Sequence, residues 1–299
     1  NYRDLLVVNG VAHWKPSVPR IPVSDGVGIV TATGAAVTRV RVGDRVTGLF
    51  TPSWLDGELD ERTSGPSLGG AALDGVLVES RTFDEQAVVH VPDYLTDAEA
   101  ATLPVAAITA WHALEVRARV KPGETVLVQG TGGVSLFALQ LAREMGARVI
   151  VTSSTDEKLE RARTLGAAET VNYRRTPEWD AEVLRLTGGR GVDHVVETVG
   201  GENLNRSLRA VRLSGTVLFI GVIAGMTAPI DTVQFMLRNV TLHGIETGSR
   251  AMFEAMNDYL REQGIRPVVD RVFPVGEVRE ALAYLERGAH FGKVVVAFE

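Results

Sequence analysis

The chain has 299 residues, 45% of them hydrophobic, with a net charge of −6 and no cysteine. That length holds one large domain or two ordinary ones. The acidic balance, without a basic run, argues against nucleic acid and anionic membrane as partners. The lack of Cys excludes disulfides, thiolate catalysis and Cys-ligated zinc.

Residues 1–95 read as β-rich with many turns. Gly28–Gly34 is a strand ending in a turn, and Val40–Val46 is a tight turn entering a strand. Residues 52–75, rich in Gly, Ser, Pro and Asp, read as a long surface loop. Strand character returns at Val76–Ser80 and Ala87–Val91, and a helical stretch follows over Asp97–Leu114 despite Pro104. From Thr125 the period changes. Strands at 125–129, 148–152, 169–172, 192–197, 215–221 and 239–245 alternate with helical patterns, the signature of a doubly wound parallel α/β sheet. A helix over 251–263 stops at Gly264. Pro267–Glu299 reads as strand, helix and terminal strand, packing back on the first domain. The expected domains are therefore 1–96 with 264–299, and 97–263. No apolar stretch is long enough to span a bilayer and no signal peptide is visible, so a cytoplasmic location is expected. The chain begins at Asn1 in mid-pattern, which suggests that residues precede it.

The most informative segment is Val126–Ser135. An apolar strand meets Gly130-Thr131-Gly132-Gly133-Val134, and a helical pattern follows. A dinucleotide-binding βαβ unit needs that order: a glycine for the tight turn, a second so the backbone can approach a pyrophosphate, and a helix whose first N–H groups face the phosphates. Ser135 takes the third glycine position and makes the packing there slightly looser.

These residues carry a resemblance. Asn1-Tyr2-Arg3-Asp4, Ile21–Gly28, Val42-Gly43-Asp44-Arg45-Val46, Gly130–Val134 and Phe291-Gly292-Lys293-Val294-Val295, in this order, resemble the medium-chain dehydrogenase/reductase superfamily, and most nearly its zinc-free, quinone-oxidoreductase-like branch. The resemblance covers nearly the whole chain. It implies a Rossmann domain joined to a split GroES-like β-barrel domain that lacks its first strands here, and a dimer extended through the strand Val240–Ile245.

Zinc-containing members carry a Cys, a Gly-His-Glu block and a third ligand. Here the block reads Val23-Ser24-Asp25, and the six histidines stand singly. No tetrahedral zinc set is expected. Without a Lewis acid to stabilise a substrate oxygen, the favoured acceptors spread the incoming charge themselves. Quinones and α,β-unsaturated carbonyls do so. The expectation is an NAD(P)H-dependent, metal-independent reductase of such small molecules; an alcohol dehydrogenase and a non-catalytic cofactor-binding protein are the alternatives. The resemblance implies Tyr2 as the hydrogen-bond donor to the developing enolate, against a phenol that only packs. Asp4 reads as making a turn or structural hydrogen bond, and Ser24 and Asp25 either line the pocket or hydrogen-bond each other. Trp111 reads as core, His112 as a satisfied junction histidine, and Trp54 as a lid or a packing residue.

An acid at the end of the second Rossmann strand would hold the ribose diol of NAD. That end reads Thr152-Ser153-Ser154-Thr155, and the nearest acid, Asp156, opens the next helix. Ser154 with Glu157 fits a capping box. Ser153 is then left to meet a 2′-phosphate, with Lys158 to neutralise it, so NADP(H) is preferred and NAD(H) remains an alternative. Val199-Gly200 and Gly221-Val222 should border the nicotinamide. The resemblance adds Tyr173 near the adenosine, and Thr109 and Lys293 at the cofactor.

Overall fold

A computed structural model describes residues 1–298; Glu299, the last residue of the expected second barrel segment, lies outside them. Along the chain the strands are β1 (Val27–Ile29), β2 (Arg45–Gly48), β3 (Val88–His90), β4 (Thr125–Gln129), β5 (Arg148–Ser153), β6 (Glu169–Asn172), β7 (Val192–Glu197), β8 (Val211–Phe219), β9 (Thr241–Gly244), β10 (Val269–Pro274) and β11 (Lys293–Ala297). The α-helices are α1 (Tyr2–Val8), α2 (Asp97–Ala100), α3 (Ile108–Trp111), α4 (Gly133–Glu144), α5 (Asp156–Thr164), α6 (Trp179–Leu186), α7 (Asn203–Ala210), α8 (Thr232–Leu237), α9 (Arg250–Gln263) and α10 (Val278–Glu286). The chain divides into two compact units, Thr109–Glu246 and the pair Asn1–Ile108 with Thr247–Glu299.

The unit Thr109–Glu246 is built on six parallel strands in the order β6-β5-β4-β7-β8-β9. β4, β5 and β7 are rich in Val and Ile and buried along almost their whole length, as strands covered on both faces must be. Leu127, Ile150, Val195 and Val217 meet Trp179, Val183 and Leu208 of α6 and α7 in one core. Truncating Leu127 to Ala there would cost roughly 2–5 kcal/mol, the transfer energy plus the cavity. The order is the Rossmann order, which reverses between β4 and β7. Ligands of open α/β sheets bind beyond the carboxyl ends of the strands at that reversal. β8 begins at Val211, four residues before the strand expected at 215, and β9 forms one edge of the sheet.

The other unit holds the GroES-like part. β1, β2 and β3 form an antiparallel sheet, and β10 pairs with β11 in parallel. The strand expected over Val76–Ser80 does not form. Val76 and Leu77 donate to the carbonyls of Val23 and Pro22 at 2.8 and 3.2 Å. The ladder cannot continue, because Pro22 has no N–H and Val23 is left-handed with φ +71°. Residues 52–75 contain neither helix nor strand. Trp54 in that loop is only 1% exposed and donates Nε1–H to the Gly57 carbonyl at 2.9 Å, so it packs. The stretch after Asp97 is helical as expected, but with π-helical turns at Leu103–Ala107 and His112–Ala118 on either side of α3. The unit boundaries at 108 and 246 differ from those drawn at 97 and 263. α9 belongs with β3: Asn257 Nδ2 donates to the His90 carbonyl at 3.0 Å, and the Tyr94 hydroxyl donates to the Leu260 carbonyl at 2.9 Å.

Candidate active site: a dinucleotide turn and a buried ionic cluster

The turn from β4 into α4 has the shape that its glycines allow. Gly130 sits at φ +74°, a conformation an L side chain rarely adopts, and its N–H donates to the Thr152 carbonyl at 2.8 Å. Gly132 is the N-cap of α4 and provides no side-chain cap, so the first helical N–H groups, from Gly133 onward, are left for a ligand. A Cβ at Gly132 would meet nothing within 4 Å. An uncapped helix N-terminus with open space before it fits a pyrophosphate. Ser135, the departure from the glycine pattern, is buried and donates its hydroxyl to the Gln129 carbonyl at 2.7 Å, so it ties the turn down.

Ser153 ends β5, and its Oγ lies 3.3 Å from Thr131 Oγ1, with both residues buried. Tyr173 is 41% exposed and donates its N–H to the Ser153 carbonyl at 3.1 Å. Lys158 is half-buried on the first turn of α5. The cap of that helix is Thr155, not Ser154: Thr155 Oγ1 accepts from the Lys158 N–H at 3.3 Å. The extended φ and ψ of Thr155 let it cap, so Ser154 and Glu157 form no capping box. The nearest acid, Asp156, is engaged with Asn172 Nδ2 at 2.7 Å and Arg175 at 2.6 Å.

At the ends of β7 and β8, the Val199-Gly200 and Gly221-Val222 turns lie against each other. The Ala224 N–H donates to the Val199 carbonyl at 2.8 Å, and a Cβ on Gly221 would sit 1.7 Å from the Thr198 carbonyl oxygen. The sequence reading missed what lies beneath them. Glu197, fully buried, accepts hydrogen bonds from the Val199 and Gly200 N–H groups, each 2.9 Å, and from Gln129, Asn203 and Ser207 side chains. Its signal was a carboxylate at the end of the otherwise apolar run Val195-Val196, since a buried acid needs donors. Thr109 is buried in α3, at the start of this unit. His112 is buried and accepts from Arg117 Nε at 3.0 Å, and Trp111 is core.

The second polar cluster lies within the other unit. Ser24 donates its hydroxyl to Asp4 at 3.0 Å, Arg3 donates to Asp4 at 3.1 Å, and both Asp4 and Ser24 are buried. Lys293, at the start of β11, donates Nζ to Asp25 at 3.0 Å and to Asn1 Oδ1 at 2.6 Å; Lys293 and Asp25 are both nearly buried. Val23 at φ +71° is a strained β-branched residue that fixes this block, held where Gly69 and Gly75 approach its backbone. Tyr2, on α1, is 40% exposed.

A tetrahedral zinc does not fit this block. The hydroxyl of Ser24 is bound to Asp4, the carboxylate of Asp25 faces an ammonium, and among the described residues no three His, Cys, Asp or Glu converge.

Residues 1–93 match the family profile of the alcohol dehydrogenase GroES-like domain, and residues 133–262 match that of the zinc-binding dehydrogenase. A zinc-type alcohol dehydrogenase-like protein of Schizosaccharomyces pombe is 41% identical over all of this chain and 88% of its own length. The chain belongs to the medium-chain dehydrogenase/reductase superfamily, a family of NAD(P)-dependent oxidoreductases. It is also similar to quinone oxidoreductase-like protein 2 of Bos taurus, 31% identical over 100% of this chain and 82% of that one. Among solved structures, an NAD-dependent alcohol dehydrogenase superposes with TM-score 0.87 at 32% identity, covering 99% of this chain and 88% of the other. Mycobacterial Rv1454c, complexed with NADPH, does so with TM-score 0.81 at 27% identity, covering 99% and 87%. In this chain no helix among the described residues is long and apolar enough to cross a membrane.

Proposed function

We propose that this chain is an NADP(H)-preferring oxidoreductase that reduces a quinone or an α,β-unsaturated carbonyl without a metal. One observation carries the reading: at the block where zinc-containing relatives place ligands, Ser24 and Asp25 are taken up by Asp4 and Lys293. When bound, the reduced nicotinamide supplies a hydride, and a conjugated acceptor delocalises the charge onto its own oxygen.

The protein's task is then binding, orientation and a hydrogen-bond donor. The N–H groups at the start of α4 hold the pyrophosphate, with Gly130, Thr131, Gly132, Gly133 and Val134 shaping the approach. Val199, Gly221 and Val222 border the nicotinamide. Thr109 and Lys293 complete the cofactor contacts that the family resemblance implies. Ser153 and Lys158 receive the 2′-phosphate, with Tyr173 beside the adenosine. The engagement of Asp156 by Asn172 and Arg175 supports NADP(H) over NAD(H), because no carboxylate stands ready for a ribose diol. Tyr2, with its phenol partly exposed, donates to the oxygen that becomes negative.

Two copies associate through the edge strand β9. The apolar side chains of Leu213, Met236 and Leu237, more than 60% exposed beside that edge, support a second copy as the occupant.

A panel of quinones, enones and alcohols, run with both cofactors and with metal analysis, tests the reading. Reduction of conjugated acceptors with NADPH, unaffected by chelators, is expected. Activity abolished by a chelator and restored by zinc would overturn it. Alcohol oxidation without enone reduction would favour the alcohol dehydrogenase reading. Cofactor binding without turnover of any class would favour a non-catalytic protein.

A further inference from the structure

We propose that Glu197 is a positioning residue for the cofactor: a buried carboxylate that locks the dinucleotide turn to the nicotinamide-side turn across the reversal point of the sheet. The proposal rests on the NAD(P)(H) site proposed above and deepens it. Glu197 ends β7 and Gln129 ends β4, the two strands between which the strand order reverses. Gln129 Nε2 donates to Glu197 Oε2 at 3.0 Å and to Ser207 Oγ at 2.6 Å. Asn203 Nδ2 reaches both side chains, 2.9 Å to Gln129 Oε1 and 3.0 Å to Glu197 Oε2, and the Ser207 hydroxyl also donates to Oε2. The other oxygen, Oε1, accepts the N–H groups of Val199 and Gly200.

Each arm leads to a cofactor-facing segment. The Gln129 carbonyl accepts from Ser135 Oγ on the first turn of α4 and from Thr198 Oγ1 at 2.8 Å. The Glu197 carbonyl accepts from the Gly221 N–H at 3.1 Å. One side chain with its backbone therefore sets the spacing of three turns: 130–134, 198–200 and 221–222. Every partner of its two carboxylate oxygens among the described residues is a hydrogen-bond donor, so an amide in its place would turn an NH2 toward a donor. Hydrogen bonds to charged, buried acceptors are the strong ones, and leaving their donors unpaired is costly. A core ion pair would anchor the strands equally well. A carboxylate that gathers only turn N–H groups and neutral side chains instead fixes loop geometry, as outer-shell partners do at other sites.

The test compares wild-type protein with Glu197→Gln, Asn203→Ala and Ser153→Asp. It reads Kd for NADPH and NADH by protein fluorescence, KM for cofactor and acceptor, and Tm. Glu197→Gln should weaken both cofactors about tenfold and to the same extent, the loss of roughly one charged hydrogen bond. Acceptor KM should change less than about twofold. Asn203→Ala should show the same pattern, smaller. Ser153→Asp, by contrast, should change the NADPH-to-NADH ratio. A folded Glu197→Gln with unaltered Kd for both cofactors overturns the proposal. If that variant does not fold, unaltered cofactor binding in Asn203→Ala overturns it instead. If wild-type protein binds neither cofactor, the site reading itself falls and takes this proposal with it, an outcome told apart by the wild-type titration alone.

Discussion

Thr131 and Ser153, 22 residues apart in sequence, bring their hydroxyl oxygens to 3.3 Å and are both buried. This joins the Gly130–Val134 turn to the end of β5, the place where cofactor choice is made in such sheets. Ser153→Asp should put a carboxylate where a 2′-phosphate would lie and shift preference toward NADH by tenfold or more, about 1.4 kcal/mol. The ratio of kcat/KM values for the two cofactors measures it. An unchanged ratio removes Ser153 from the site.

Gly132 separates folding from binding. A Cβ there meets nothing within 4 Å of the protein. Gly132→Ala should therefore cost under about 1 kcal/mol of stability, the difference between glycine and alanine at an N-cap. It should weaken dinucleotide binding at least about tenfold, because the methyl group would occupy the space proposed above for the phosphate. Urea melts and cofactor titration on the same sample report the two effects. Equal Kd values for variant and wild type would count against a phosphate at this turn.

Gly221→Ala should do the reverse. Its Cβ would fall 1.7 Å from the Thr198 carbonyl oxygen and 2.0 Å from the carbonyl carbon. Backbone, which cannot rotate away, would have to move. Destabilisation of about 3 kcal/mol or more is expected. A urea midpoint equal to that of wild type would refute this close approach.

Asp180 gives a pH dependence. It is buried on α6 and accepts from Arg206 and Arg209 of α7, each at 2.7 Å. Burial by itself raises its pKa, but the two guanidinium groups outweigh it and hold the carboxyl below its ordinary 3.8. A folded-state pKa below the unfolded one contributes stability that is complete above pH 3.8 and is lost as pH falls through the folded value. Wild type should therefore exceed Asp180→Asn in stability at neutral pH, with the gap closing as pH falls below 3.8 and through the folded value. Denaturant melts across pH measure it; a gap independent of pH would contradict the assignment.

The edge strand β9 provides the last prediction. Met236 and Leu237 on α8 are each 67% exposed. Replacing both with Glu should convert a dimer to monomers without loss of the fold, since neither side chain packs in the core. Sedimentation velocity reads the change. A wild-type protein that already sediments as a monomer would end the dimer reading.

By itself the sequence determined the Rossmann half almost strand by strand. Parallel strands buried on both faces favour near-continuous apolar runs, and the runs Val126–Val128 in β4 and Val149–Val151 in β5 have few other readings. The tight turn at Gly130 was legible because glycine suits its φ of +74°. The antiparallel half was less legible. Whether Val76–Ser80 pairs as a strand depends on Pro22 and Val23, some fifty residues earlier, whose backbone cannot continue a ladder. Only the tertiary structure decided the partners of the buried charges. Nothing local in the chain says that Lys293 meets Asp25, or that Glu197 collects Gln129, Asn203 and two turn N–H groups. Burial makes such groups find partners, and which partner each finds is set by where the strands end in space.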